Sequence, residues 1–332
     1  MTAKKSQFDV AGIGNAIVDV LAHADDIFLE DNGLNKGAMT LIDAARAAEL
    51  YEAMGPAMEV SGGSAANTLV ALASLGGHGA FVGKVRNDQL GGIFRHDIQA
   101  AGVAFETPAA SLGPPTARCL IFVTPDAQRT MQTYLGACVD LSPDDIDEKM
   151  VAAAKVTYLE GYLWDPPQAK QAFLKAAEIA HKAERKVALS LSDPFCVERH
   201  RKEFRDLVAK HVDILFANEH EIQSLFETDS FDDVFQHVRG MCDIAALTRS
   251  EKGSVIVSGE EVHIIDAMPM GEVVDSTGAG DAYAGGFLYG LTRGFDLAHC
   301  GRLASLAAGE VISHFGARPE NSLAELASEH LR

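Results

Sequence analysis

A chain of 332 residues has room for one large domain or two ordinary ones, and 47% hydrophobic residues suffice to bury a substantial core. A net charge of −19 argues against nucleic acid or an anionic membrane surface as a partner, though not against a small phosphate ligand. Five scattered cysteines with no Cys-x-x-Cys exclude a disulfide scaffold and a Cys-only zinc site, and fit a reducing, cytoplasmic setting. Lys4 and Lys5 precede an apolar run, but Asn15 and Asp19 interrupt it, which speaks against a signal peptide, and no stretch is apolar for long enough to span a bilayer.

Phe8 to Ile13 reads as a buried strand ending in Gly12-Ile13-Gly14-Asn15. A dinucleotide fingerprint would place glycine at 17, where Ile17 stands. Asn15 and Asp19 flank the apolar Ala16-Ile17-Val18. They form either a turn and an element edge or a pair that bonds vicinal sugar hydroxyls, since Asp accepts two hydroxyl protons while Asn both donates and accepts. Residues 16–40 read as an excursion, irregular and acidic from about 20, and a helix over 44–54 stops at Gly55-Pro56. Ser61-Gly62-Gly63-Ser64 then opens an Ala/Leu-rich helix that carries Asn67 in its first turns. Two glycines allow close backbone approach to a ligand, and a helix cap from Ser61 or Ser64 is the alternative.

A strand at 81–85 and a helix at 92–101 follow. Alternation in Ala117–Val123 and Arg129–Tyr134, around the turn Thr124-Pro125-Asp126-Ala127, predicts a hairpin. Together the excursions 16–40 and 104–138 would build a small β-sheet lid that excludes water.

From Leu141 helices and strands alternate: helix 143–153, strand 156–160, helix 166–184, strand 187–192, helix 198–209, strand 214–217, helices 219–226 and 231–240, strand 244–248. Strands 254–257 and 262–265 precede helices at 281–292, 296–314 and 321–331. Such alternation predicts an α/β fold, a three-layer α/β/α arrangement on a mainly parallel sheet, with ligands at the C-terminal strand ends. No internal repeat or Pro/Gly/Ser-rich linker divides the chain, so 1–332 reads as one domain with a lid. At one strand end, Asn218 and Glu221 match a capping box. At another stands Gly161-Tyr162-Leu163-Trp164, where Tyr162 and Leu163 read as core packing.

The most informative stretch is Asp275-Ser276-Thr277-Gly278-Ala279-Gly280-Asp281, where an extended segment enters a helix. A helix start presents free N–H groups and about half a positive charge, which suits an anion. Within the helix start itself Asp281 is the one side chain able to take a proton, which suggests a general base for a hydroxyl attacking a phosphoryl group. A tight turn followed by a first-turn carboxylate is the plainer alternative.

This string resembles the C-terminal signature of the ribokinase-like (pfkB) carbohydrate and nucleoside kinases, with Ser276 where the family usually has Thr. Ser61–Thr68 and Gly83–Gly91 resemble the family's N-terminal motifs, and the likeness covers nearly the whole chain. The resemblance implies ATP and Mg²⁺, with Asp281 as base, Gly278, Ala279 and Gly280 as the anion hole, and Asn15, Asp19, Gly62, Gly63 and Asn67 holding ribose. It implies Arg129 on the phosphates, Thr248, Gly253 and Asn218 on ATP, and Glu221 with Asn218 ordering Mg²⁺ partly through water. Asp275 and Thr277 correspond to a monovalent cation site (K⁺) of some relatives, and Ser250 stands where a nucleotide-turn glycine is usual. Gly14-Asn15 with Asp19, Leu189–Phe195 and Val212–Phe216 are more similar to the adenosine kinase group than to ribokinases or fructokinases, and that likeness implies Tyr162 or Leu163 stacking on the base as the alternative to core packing. The expectation is phosphorylation of the 5′-hydroxyl of adenosine. Another sugar or nucleoside, or an idle sensor on the same fold, are the alternatives, and the protein would be a monomer or homodimer.

Overall fold

In the computed structural model, which describes residues 7–126 and 128–331, a nine-stranded sheet forms the centre. Lys4, Lys5 and Ala127 lie outside the described residues. The strands run in the order Glu261–Ile265, Ser254–Ser258, Ile244–Thr248, Ile214–Asn218, Lys186–Ser190, Ala154–Glu160, Phe8–Ile13, Gly79–Val82 and Ala104–Phe105. Pairing is parallel from Ile244–Thr248 through Ala104–Phe105, and antiparallel in the two strands at the other edge.

The inner strands are buried on both faces, so they read as continuous apolar runs. Alternation sends Ile214 and Phe216 into one core and Leu215 and Ala217 into the other. The first core is closed by helices Ser64–Ser74, Gln89–Ala100, Ala279–Thr292 and Leu297–Val311. The second is closed by helices Pro167–Lys182, Pro194–His211, Glu219–Phe226 and Phe231–Val238. The α/β/α expectation holds.

A second, five-stranded sheet stands beside this body in the order Met39–Leu41, Arg129–Tyr134, Ala117–Val123, Ile17–His23, Ala57–Gly62. The hairpin expected at 117–134 is present, with Cys119 opposite Thr133. Several details differ from the sequence reading. Residues 17–23 form a regular strand, whose buried Val18, Val20 and Ala22 alternate with more exposed positions. The acidic residues beyond it form a helix, Asp26–Asp31, capped by the Asp25 carboxylate. Ala57–Gly62 joins this sheet, antiparallel to Ile17–His23, while Ala104–Phe105 pairs with Gly79–Val82 in the large sheet. The expected helix 143–153 splits into a turn at Pro143–Asp145 and a helix Glu148–Ala153, because Asp147 caps a new start.

Candidate active site

The parallel strands bring the expected residues to one edge. Asn15 follows Phe8–Ile13, Glu160 ends its neighbour, and Asn218 stands in register with Thr248. Two helices begin beside this edge without a capping side chain, Ser64–Ser74 after Gly63 and Ala279–Thr292 after Gly278. Elsewhere Asp88, Asp296 and Asn218 supply such caps. The amides at these two starts are therefore left for something other than a local side chain.

Both starts need glycine. Gly63 has φ +96°, and a Cβ there would lie 2.2 Å from the Asn15 carbonyl oxygen. Gly278 has φ +79°, and its Cβ would lie 2.5 Å from the Ala317 carbonyl oxygen. Gly280 differs, because a Cβ there would meet only open space.

The two helices cross closely at Gly285, whose Cβ would sit 2.5 Å from the Thr68 carbonyl oxygen. This approach joins their first turns. Ser64 Oγ donates to Asp281 Oδ1 at 2.6 Å, and Asn67 Nδ2 donates to Asp281 Oδ2 at 3.3 Å. Burial raises the Asp281 carboxyl to about 6, against the pull of Ser64, Asn67 and the charge of Arg318. A carboxylate so placed is still ionised at neutral pH and is a better proton acceptor than a free one.

Asp19 is also raised to about 6, by burial first, with Arg318 and Arg129 drawing it down and Asp281 pushing it up. Its carboxylate lies over Gly62, where a Cβ would come 2.3 Å from Oδ2. Asn15 is buried and turned toward Glu160, its Nδ2 donating to Oε1 at 2.7 Å. The Asn15 and Ala65 backbone amides also donate to Glu160. The side-chain oxygen of Asn15 is the part left for a ligand. Glu160 was not among the expected site residues. Burial pushes it up to about 7, despite those three donors. Its only sequence signal is a carboxylate at a strand's C-terminal end.

Arg129 and Asp275 meet across the lid boundary at 2.6 Å, both side chains less than a tenth exposed. Arg129 Nη1 also donates to Thr277 Oγ1 at 3.3 Å. Asp275 Oδ1 accepts from the Thr277 amide and hydroxyl, and Oδ2 faces Arg129 and accepts from the Gly316 amide. Three hydrogen bonds and the Arg129 charge engage that carboxylate. The Asp275 side chain therefore does not fit a K⁺ ligand, and Thr277 spends its hydroxyl proton on it.

Asn218 and Glu221 form a full capping box, with Asn218 Nδ2 donating to Glu221 Oε1 at 2.7 Å. Glu221 is buried and raised to about 7, by burial first and then by Asp193 and Asp281. A carboxylate raised by burial and further by acidic neighbours gains from a nearby divalent cation. This donor set fits Mg²⁺, which takes few protein ligands and keeps several waters. Among the described residues no group of three or more His, Cys, Asp or Glu is arranged to hold a metal. Gly253 has φ +77°, and its Cβ would clash with the Ile265 carbonyl oxygen, so the fold itself requires this glycine.

Leu163 is 1% exposed and packs in the core with Trp164 and Phe173, so it offers no face to a base. Tyr162 is 41% exposed, and the charges of Asp193, Asp281, Glu221 and Glu160 reach it. Of the two candidates, Tyr162 is the one available for stacking. Arg318 was also not anticipated, because a lone arginine between Ala317 and Pro319 carries no motif. Its Nε donates to Asn67 Oδ1 at 3.0 Å.

A family model for pfkB family carbohydrate kinases matches residues 39–323. The adenosine kinase of Saccharomyces cerevisiae is 29% identical over 319 residues, covering 86% of this chain and 89% of the yeast protein. The crystal structure of adenosine kinase from Sinorhizobium meliloti superposes with a TM-score of 0.90 at 54% identity, covering 98% of this chain and 99% of that one. A probable sugar kinase protein from Rhizobium etli superposes with a TM-score of 0.91, also at 54% identity and with 98% of each chain covered. No helix among the described residues is long and apolar enough to cross a membrane. With a single family match running across most of the chain and both helix starts built as described, this protein belongs to the pfkB family of carbohydrate kinases and is a phosphotransferase.

Proposed function

We propose that this chain is an ATP-dependent kinase that phosphorylates the 5′-hydroxyl of adenosine, giving AMP and ADP. One observation carries the reading. The carboxylate of Asp281 stands in the first turn of a helix whose N-cap, Gly278, has no capping side chain, and Ser64 and Asn67 aim it. The choice of adenosine rests on the named adenosine kinases among the relatives, the one from Sinorhizobium meliloti being 54% identical.

In this reading Asp19 and the side-chain oxygen of Asn15 hold the ribose beside Gly62 and Gly63, whose missing side chains let Asp19 and the Asn15 backbone come close. Tyr162 stacks on the base. The acceptor hydroxyl gives its proton to the Asp281 carboxylate. Its oxygen then bonds the γ-phosphorus as the bond from that phosphorus to the bridging oxygen breaks, and ADP leaves. Amides at Gly278, Ala279 and Gly280 face the migrating phosphoryl group, and loss of one such donor typically costs a factor of ~10²–10³. Arg129, drawn in from the lid, adds positive charge beside that turn. Glu221 and Asn218 would order Mg²⁺ and its waters, and bound Mg²⁺ supplies neutralising charge on the triphosphate. Thr248 and the turn at Gly253 would contact ATP. Unpaired thiols at all five cysteines accord with a cytoplasmic setting.

The test is turnover of adenosine, inosine, guanosine, ribose and fructose with MgATP, for the wild type and Asp281→Asn. Adenosine should give the highest kcat/KM, and Asp281→Asn should bind it yet lose a factor of ~10²–10⁴ or more in kcat. Preference for ribose or another sugar would favour the second reading, which the Rhizobium etli protein's name supports. No ATP-dependent turnover with any acceptor would make this a binding protein.

A further inference from the structure

Arg318 lies in the loop between helices Leu297–Val311 and Leu323–His330. Several contacts hold that loop in place. Glu310 Oε1 accepts from the backbone amides of Glu320 and Asn321 and from Asn321 Nδ2 at 2.8–3.1 Å. Ala317 packs under Gly278, and the Gly316 amide donates to Asp275. The arginine is thus presented from a fixed loop against the start of the Asp281 helix.

Its donors are directed at three elements. Nη1 donates to Ser61 Oγ at 2.6 Å and pairs with Asp97 at 3.2 Å, while Asp97 also accepts from the Ser61 amide and hydroxyl. Nε donates to Asn67 Oδ1 at 3.0 Å. A guanidinium has no acceptor, so this bond settles which end of the Asn67 amide is oxygen. The other end, Nδ2, must then face Asp281 Oδ2, where a donor is wanted. A flipped amide would set oxygen against carboxylate and NH₂ against guanidinium.

We infer that Arg318 is a positioning residue for phosphoryl transfer, aiming the Asn67 amide at the Asp281 carboxylate and keeping a positive charge beside it. The inference rests on the kinase reading above. The groups around Asp281 make this charge matter. Its field and those of Asp19, Glu160 and Glu221 overlap, all four being acidic, and Tyr158 and Tyr162 lie within reach of it. Arg318 opposes this crowding at Asp281 and at Asp19, and Arg129 acts on Asp19 as well. Asp97 partly offsets Arg318 from the far side.

The experiment is the pH profile of kcat from pH 5 to 9 for wild type, Arg318→Gln and Arg318→Lys, with saturating MgATP and the acceptor that wild type turns over best. Losing the charge raises the pKa of the base, so the acid limb of kcat should move up by about one pH unit in Arg318→Gln. Its plateau should fall about tenfold as the Asn67 amide loses its direction. Lysine keeps the charge but lacks the fork, so Arg318→Lys should return the acid limb to the wild-type position and leave the plateau low. An unmoved limb in folded Arg318→Gln, or equal limb shifts in both variants, overturns the inference. If Arg318→Gln does not fold, the lysine variant decides alone, and a wild-type plateau in it overturns the inference. Failure of the underlying reading shows separately, as no ATP-dependent turnover by wild type.

Discussion

Arg129, on a lid strand, sits 2.6 Å from Asp275, in the segment that leads into the Gly278 helix start. The pair is nearly dry, and the Phe315 ring lies 5.6 Å from the guanidinium. Removing one partner of a buried pair leaves the other charge uncompensated, at a cost of about 3–5 kcal/mol. Arg129→Met should therefore lower the unfolding free energy by about 3 kcal/mol in urea titration. It should also reduce kcat, since the lid loses its tie to the turn. A loss under about 1 kcal/mol would show that the pair contributes little.

The glycines of the turn separate fold from chemistry. Gly278 is left-handed and jammed against Ala317, so Gly278→Ala should destabilise by about 2 kcal/mol or more. Gly280 is helical and faces open space, so Gly280→Ala should leave stability level or raise it by up to about 1 kcal/mol. The new methyl would nevertheless stand where the phosphoryl group must pass, and kcat should fall at least about tenfold. Thermal midpoints and kcat measured on both variants check the contrast. A Gly280→Ala enzyme with normal turnover would move the anion site elsewhere.

Glu160 ties stability to pH. Its carboxyl is raised to about 7 in the fold, by burial first, from an ordinary value of 4.5. Between those values the folded state holds a proton that the unfolded chain has released, so this group's contribution is full below pH 4.5 and is lost as pH rises through 7. Asp19, Asp281 and Glu221 are raised as well and act in the same direction. Glu160→Gln should flatten the fall in unfolding free energy between pH 5 and 7.5 relative to wild type. Parallel curves for the two proteins would count against a raised Glu160.

The sheet and its order of helices were legible because parallel strands buried on both faces leave long apolar runs, as in Ile214–Ala217, and capped helices between them. Asp281 and the glycine turn were legible for a different reason, since two glycines and two acids cluster within seven residues. The lid was legible only in part. Ala57–Gly62 is short and exposed at its first residues, so its membership depends on pairing with Ile17–His23 and not on its own pattern. Arg318 and Glu160 were scarcely legible, because each acts on residues between 95 and 251 positions away. Ser250 shows the reverse case. It stands where glycine is usual in the nucleotide turn, and it keeps the positive φ, +51°, that explains the usual glycine.

Tyr162 and Leu163 are adjacent, yet the fold assigns them to different tasks. Leu163 is sealed in the core beside Trp164 and Phe173, and Leu163→Ala should cost about 2–5 kcal/mol of stability through the lost burial and the cavity left behind. Tyr162 is 41% exposed at the end of the same short turn, and its truncation opens no cavity of that kind. Tyr162→Ala should change the unfolding midpoint little while raising the KM for adenosine about tenfold, the worth of one aromatic stacking contact. The effect should be much smaller with ribose, which has no base to stack. Equal losses with adenosine and ribose would remove Tyr162 from the base site, and its ring would then act only on the shape of the turn that follows Glu160.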